Sequence, residues 1–211
     1  MFSIHTILFY GNEITTWVTD EPAVVTCWIR EVEHVHCRRL GRLIAGLGTE
    51  WCVSSEPNDG IYRVATLRLC AGHKCLIFRP LHARYIPRSL FVFLANANNT
   101  FVGVGVAEGA RKLAKDYGLY VSCTVDIRRL AAERLRNDLW GYKNLKELSK
   151  EILHKELEKP KEITSSRWDK KALTDHQIEY GCLDAFASFE LGRVLRASSV
   201  NRVFDGLVCS N

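Results

Sequence analysis

The stretch GLGTEW, Gly46 to Trp51, decides how this chain is read. It extends the apolar run Leu43-Ile44-Ala45 and delivers one carboxylate, Glu50, to what reads as the end of a strand. Side chains two apart on a strand share a face, so residue 48 looks the same way as Glu50. A metal site built here would want acids at both positions, and residue 48 is glycine.

Working outward, VATLRLC and CLIFRP read as two strands joined by Ala71-Gly72-His73-Lys74, and TFVGVGV as a fully buried strand after Asn98-Asn99. A helix runs from about Ala107 to Tyr117 and is ended by Gly118. Upstream, HTILFY and ITTWVT flank the turn residues Gly11-Asn12-Glu13 and predict a hairpin. Val25, Trp28, Ile29 and Val32 then fall at helical spacing. The span from Ile86 to Ala95 predicts a short helix. In the second half, TVDI is a short strand, RRLAAERL a helix, and Leu145 to His154 a further helix ahead of the charged stretch KELEKPKEIT. The last long helix opens at Thr174, whose pairing with Gln177 fits a capping box, and runs to about Arg196. This order predicts one mixed α/β domain with a central sheet. Its expected parts are an N-terminal hairpin and helix (1–40) packed on a main domain (41–197), with a short tail at 198–211.

A chain of 211 residues with 47% hydrophobic content suffices for one buried core. Twenty-nine basic against 24 acidic residues leave a net charge of +5, which permits nucleic-acid contact without requiring it. None of the eight cysteines forms a CxxC pair, and several lie in apolar runs, as Cys70 and Cys182 do. Structural zinc needs ligands paired at short spacings, and only His34, His36 and Cys37 cluster, on a segment that reads as a helix, so free thiols in a reducing compartment are expected instead. The N-terminus lacks a basic leader, and no apolar run is long enough to span a bilayer. The expectation is an intracellular protein, nuclear or cytoplasmic, with no membrane partner.

On the last helix, Tyr180 and Asp184 are four apart and share a face. Such a pair is common on ordinary helices and does not by itself mark a site. The motif order adds to it. GLGTEW, VATLRLCAGHKCLIF, FVGVGVAEGARKLAKDYGL, VDIRRLAAERL, EKPKEITSSRWD and YGCLDAFASFELGR together resemble the 3′–5′ exonuclease domain of the Werner-syndrome-type and ribonuclease D family, in particular its plant Werner-like branch. The resemblance runs from Ile44 to Leu195. It implies a ribonuclease-H-like α/β fold, a mixed five-stranded sheet flanked by helices.

It also implies a chemistry. In that family four carboxylates hold two divalent ions, Mg²⁺ or Mn²⁺, which clamp the attacking and leaving oxygens of a displacement. The first motif, Asp-x-Glu, reads Gly48-Thr49-Glu50 here. The Asp of the second motif falls on Gly109, and the third motif, Tyr-x-x-x-Asp, is intact as Tyr180 and Asp184. Tyr180 carries over as the catalytic residue, and Glu50 and Asp184 as metal ligands; the two Asp positions do not. Metal binding is therefore expected to be weak or absent. Glu108 is a candidate substitute, although one step along a helix turns it by roughly 100° from residue 109. Glu56, Asp59 and Asp126 are the other nearby acids, and the family does not use position 126 as a ligand. Neither glycine lies in an evident turn, so aspartate is expected to fit at both.

Phosphate contacts rest on basic side chains. Arg63, Lys143, Lys146 and Arg167 are the leading candidates, with Arg68, Lys159 and Lys161 behind them; Trp168 reads as a packing residue. The substrate class implied is single-stranded or 3′-recessed DNA, or RNA. Three readings stay open: a nucleic-acid-binding domain that is catalytically impaired or inactive, an active metal-dependent exonuclease, and an interaction module with a protein partner or a second copy.

Overall fold

Period-two alternation sorts the sheet's side chains between two helical layers. In β3 (Ile44–Trp51), Ala45 and Leu47 enter one core, while Gly46 and Gly48 face the other side. In β4 (Val64–Ala71), Leu67 and Leu69 join the first core, and Arg68 and Cys70 the second side. The two strands are antiparallel, with Gly48 directly opposite Arg68 and Glu50 opposite Thr66.

The computed structural model describes residues 1–36, 43–51 and 63–195. The remaining strands are β1 (Phe2–Phe9), β2 (Asn12–Thr19), β5 (Lys74–Phe78), β6 (Thr100–Gly103) and β7 (Thr124–Asp126). They form one sheet in the order β1-β2-β5-β4-β3-β6-β7. β6 runs parallel to β3, β7 parallel to β6, and β2 parallel to β5, while the other contacts are antiparallel. The expected five-stranded sheet is thus present as β3 to β7. The N-terminal hairpin does not sit on that sheet as a separate piece: it adds two strands to its edge.

The first core is covered by α1 (Pro22–Val35), α2 (Arg88–Ala95) and α3 (Val106–Tyr117). Val25, Trp28, Ile29 and Val32 are the buried stripe of α1, as their spacing predicts. On the other face lie α4 (Ile127–Leu135), α5 (Leu145–Leu148) and the long α7 (Asp175–Val194), with the short α6 (Lys161–Thr164) before it. Thr174 caps α7 in the predicted box with Gln177. Close approach seats α7 on the sheet. A Cβ at Gly46 would lie 2.0 Å from the carbonyl oxygen of Ala185, so any side chain there would push the helix away.

Several boundaries differ from expectation. β6 stops at Gly103, because Gly105 takes a left-handed conformation (φ 68°) from which α3 starts. α2 begins only at Arg88, after Pro87, whose ring disfavours helix in the residue before it. The stretch expected as one helix to His154 is a single α-turn followed by a wider π-turn, Ser149–Leu153, closed by His154 at φ 55°. Residues 196–211, including the expected end of the last helix and the tail, lie outside the described residues, as do Cys37, Cys52, Cys209, Glu56 and Asp59. Cys70, Cys75 and Cys182 are free and buried.

Asp126 has a clear structural task. Its carboxylate accepts from the Gly105 amide at 2.9 Å and the Arg128 amide at 2.9 Å, and pairs with the Arg128 guanidinium at 2.7 Å. One side chain therefore caps α4 and ties down the turn that starts α3. Asp126→Ala should cost about 1–2 kcal/mol, the usual worth of an N-cap. Thermal denaturation should show a midpoint lower by roughly 3–8 °C; an unchanged midpoint would contradict this role.

Candidate functional site

The end of β3, the middle of β4 and the middle of α7 meet on the second face of the sheet. There the structure brings Glu50, Tyr180 and Asp184 together, as the motif spacing implies. It also brings a fourth group among them. The Arg68 guanidinium, 3% exposed, places one nitrogen, Nη2, 3.0 Å from Glu50 Oε1 and 3.2 Å from Asp184 Oδ2. Lys159 Nζ pairs with the other oxygen of Asp184. Two carboxylates and two cations thus share one small volume.

Aromatic rings close it. The Arg68 guanidinium carbon lies 5.7 Å from the Trp168 ring centre and 5.5 Å from that of Tyr180, and Lys159 Nζ lies 5.5 Å from the Tyr180 ring. Trp168 and Tyr180 are themselves 5.8 Å apart. The loop that carries Trp168 is held from below. Arg79 donates to the carbonyls of Lys170 and Lys171, and His82 donates to that of Asp169 at 2.7 Å. Gln177 reaches back from α7 to Ser166 at 2.8 Å.

Electrostatics follow from this seating. Burial pushes the Glu50 carboxyl up, and Arg68 offsets that only in part. Burial also opposes the charge of Asp184, but Arg68 and then Lys159 outweigh it and hold that carboxyl below its ordinary value. The difference is one of company: Asp184 is paired with two cations and Glu50 with one. Burial works against Arg68 and Lys159 as well, yet Asp184, followed by Glu50 for Arg68 and by the Tyr180 phenol for Lys159, raises both above their usual values. Burial, followed by Asp184, pushes the Tyr180 phenol up.

The two glycines lie at this site. A Cβ at Gly48 would stand 2.8 Å from Arg68 Nη2 and 3.0 Å from its Nε. A Cβ at Gly109 would stand 2.7 Å from Thr49 Oγ1. Aspartate therefore does not simply fit at either position: the guanidinium must move for the first, and the Thr49 hydroxyl for the second. Glu108 is exposed where Gly109 is buried, in keeping with its rotation off the site face. Among the described residues, no group of three or more His, Cys, Asp or Glu is arranged to hold a metal ion.

The basic candidates divide. Arg68 is buried within the cluster, and Lys159, a quarter exposed, is paired with Asp184. A charged residue inside the largely apolar VATLRLC was the signal: a guanidinium in a buried strand needs buried carboxylates. Arg63 and Lys146 are exposed, as is Lys161 at the start of α6. Lys143 pairs with Glu151 at 2.5 Å and lies 5.3 Å from the Trp140 ring centre; Arg167 holds Asp169 with two nitrogens, at 2.9 and 2.7 Å. Trp168 is fully buried, a packing residue as expected. No helix is long and apolar enough to cross a membrane among the described residues.

Comparison with known proteins places this geometry. A family model described as 3′-5′ exonuclease matches residues 46–198. A "3'-5' exonuclease" of Arabidopsis thaliana is 31% identical over 158 residues, covering 74% of this chain and 54% of that protein. The human "Exonuclease 3'-5' domain-containing protein 2" is 39% identical over 151 residues, covering 70% of this chain and 24% of its own length. The chain thus spans about half of one relative and a quarter of the other. Among solved structures, the EXD2 exonuclease domain soaked in Mg and GMP superposes with a TM-score of 0.51 at 26% identity, over 86% of this chain and 88% of that one. Escherichia coli RNase D shares the fold, with a TM-score of 0.68 at 17% identity over 86% of this chain and 44% of that one. With its matched segment containing most of β3, all of β4 and α7 and every residue of the site, the chain belongs to the 3′-5′ exonuclease family.

Proposed function

We propose that the chain is a nucleic-acid-binding protein of exonuclease fold that does not cut. One observation carries this reading: a single guanidinium nitrogen touches both surviving carboxylates, Glu50 and Asp184. In two-metal hydrolysis, divalent ions lie between the acids and the phosphate. The residues present here do not fit such a pair of ions. Two acids stand where the resemblance implies four, and Arg68 and Lys159 already pair with them. Small, hard ions such as Mg²⁺ give up water reluctantly and need oxygen ligands in return. Tyr180 keeps its place on α7 but is packed against Trp168.

Family membership supports the ligand class proposed: a nucleic acid with a 3′ end, either DNA or RNA. Neutralising the acidic cluster from within removes the field that would repel a phosphate chain in the absence of metal. Arg63, Lys146 and Lys161 are the exposed cations offered to it, and Lys143 and Arg167 become available if their carboxylate partners give way. Binding of this kind is lost as salt rises.

A labelled single strand or 3′-recessed duplex, DNA and RNA in parallel, incubated with millimolar Mg²⁺ or Mn²⁺ should not shorten. The same strands should shift in a gel without metal, and the shift should weaken as salt is raised. Metal-dependent shortening would defeat the inactive reading, while the absence of any salt-sensitive shift would favour an interaction module. The ion pairs also predict a pH dependence. Because the Asp184 pKa is depressed on folding, its contribution is complete above about pH 4, the ordinary Asp value, and is lost as pH falls through the folded value. Asp184→Asn should therefore be less stable than wild type at pH 7, by about 3 kcal/mol for a broken buried pair. In denaturant titrations the gap should close in strong acid; equal stability at pH 7 would show that the pairing contributes nothing.

A further inference from the structure

Gly48 and Arg68 face each other across the β3–β4 ladder, one without a side chain and the other with a buried charge. The fit between them is close. A Cβ at 48 would lie 2.8 Å from Nη2, 3.0 Å from Nε and 3.2 Å from the guanidinium carbon. The arginine stem is accommodated in the same way on the α7 side, where a Cβ at Gly181 would lie 3.1 Å from Arg68 Cδ. Two glycines, on two elements, leave the room that one guanidinium fills. Glu50 and Asp184 fix its far end, and Trp168 and Tyr180 flank it.

We propose that Arg68 is a resident cation that closes the carboxylate pair to divalent ions, and that Gly48 is the space Arg68 requires as well as a missing ligand. This rests on the metal-free reading of the site given above. A divalent ion entering between Glu50 and Asp184 must displace a guanidinium that is 3% exposed. Both carboxylates would then be withdrawn from Arg68, leaving an unpaired charge inside the protein. If the guanidinium stayed, the ion would sit within a few ångströms of a like charge where water screens it poorly. Either way entry is opposed. Restoring acids at 48 and 109 then does not restore metal binding while Arg68 remains: its guanidinium gives way by the small amount that a side chain at 48 demands and gains that aspartate as a third carboxylate partner.

The test uses Mn²⁺ alone as the probe, with thermal unfolding and titration calorimetry on the whole chain. Wild type should show the same midpoint in EDTA and in millimolar Mn²⁺. The double variant Gly48→Asp/Gly109→Asp should take up no Mn²⁺. The triple variant with Arg68→Met should bind it, and its midpoint should rise by about 5–10 °C at saturating ion. A triple variant that folds only when Mn²⁺ is present supports the proposal equally. A triple variant that folds without binding the ion, or stays unfolded in its presence, overturns it, with Arg68→Gln run beside Arg68→Met to exclude a fault of one replacement. Mn²⁺ uptake by the double variant as tight as by the triple also overturns it. The two readings fail separately. Metal-dependent strand shortening by wild type defeats the inactive reading, whereas Mn²⁺ uptake by the double variant with wild type still inert removes only the role of Arg68.

Discussion

A guanidinium set into the middle of a buried strand has to be answered by carboxylates, and that requirement organises one whole face of this protein. Arg68 cannot reach water, so Glu50 must arrive from β3 and Asp184 from α7. α7 can bring Asp184 close enough only because Gly46 lets its backbone rest on the sheet. The rings of Trp168 and Tyr180 then flank the charge, and Arg79 and His82 anchor the loop that carries Trp168. Sheet, helix and loop are fastened around a single ion-pair cluster. Buried ion pairs of this kind rarely add net stability over an apolar core, yet breaking one is costly. The cluster is accordingly a strong constraint on geometry whatever it contributes to the total.

Much of this was readable in the residues. Strand periodicity and turn chemistry located the hairpin, β3, β4 and β5, the capping box located the start of α7, and motif order brought Glu50, Tyr180 and Asp184 to one place. What could not be read was the occupant of the space between them. Spacing says which face a side chain takes, not how far a long one reaches, so it does not separate Arg68 from the surface cations although its strand is buried throughout. The same limit hid the tight fit at Gly48 and Gly109, because a clash with Arg68 or Thr49 is a matter of tertiary approach. Local errors had local causes: Gly105 ended β6 early, Pro87 delayed α2, and a π-turn replaced the expected helix after Leu148.

Fold and chemistry separate cleanly here. Membership of the 3′-5′ exonuclease family rests on a matched segment and on the similarity of relatives over most of the chain, neither of which depends on an acid at residue 48. Catalysis depends on little else than the charges in that small volume. A family fold can therefore stand with its elements in place while its centre answers to a different charge balance.

The N-terminal hairpin has a consequence that the family boundary conceals. The matched segment begins at residue 46, yet β2 pairs with β5 over Thr15–Thr19, and β5 is a run of buried apolar side chains. A protein trimmed to the matched segment would lose two strands and α1 together. Cys75, Leu76, Ile77 and Phe78 would become an open, hydrophobic sheet edge, the kind of edge on which chains stack into aggregates. The hairpin acts as a guard rail for the sheet: β1 takes the outer position in its place, a strand on which exposed Phe2, Ile4 and Leu8 are interspersed with polar Ser3, His5 and Thr6. The sheet therefore begins ahead of the segment that the family model matches, and β1, β2 and α1 pack into it as fully as the strands of the site do.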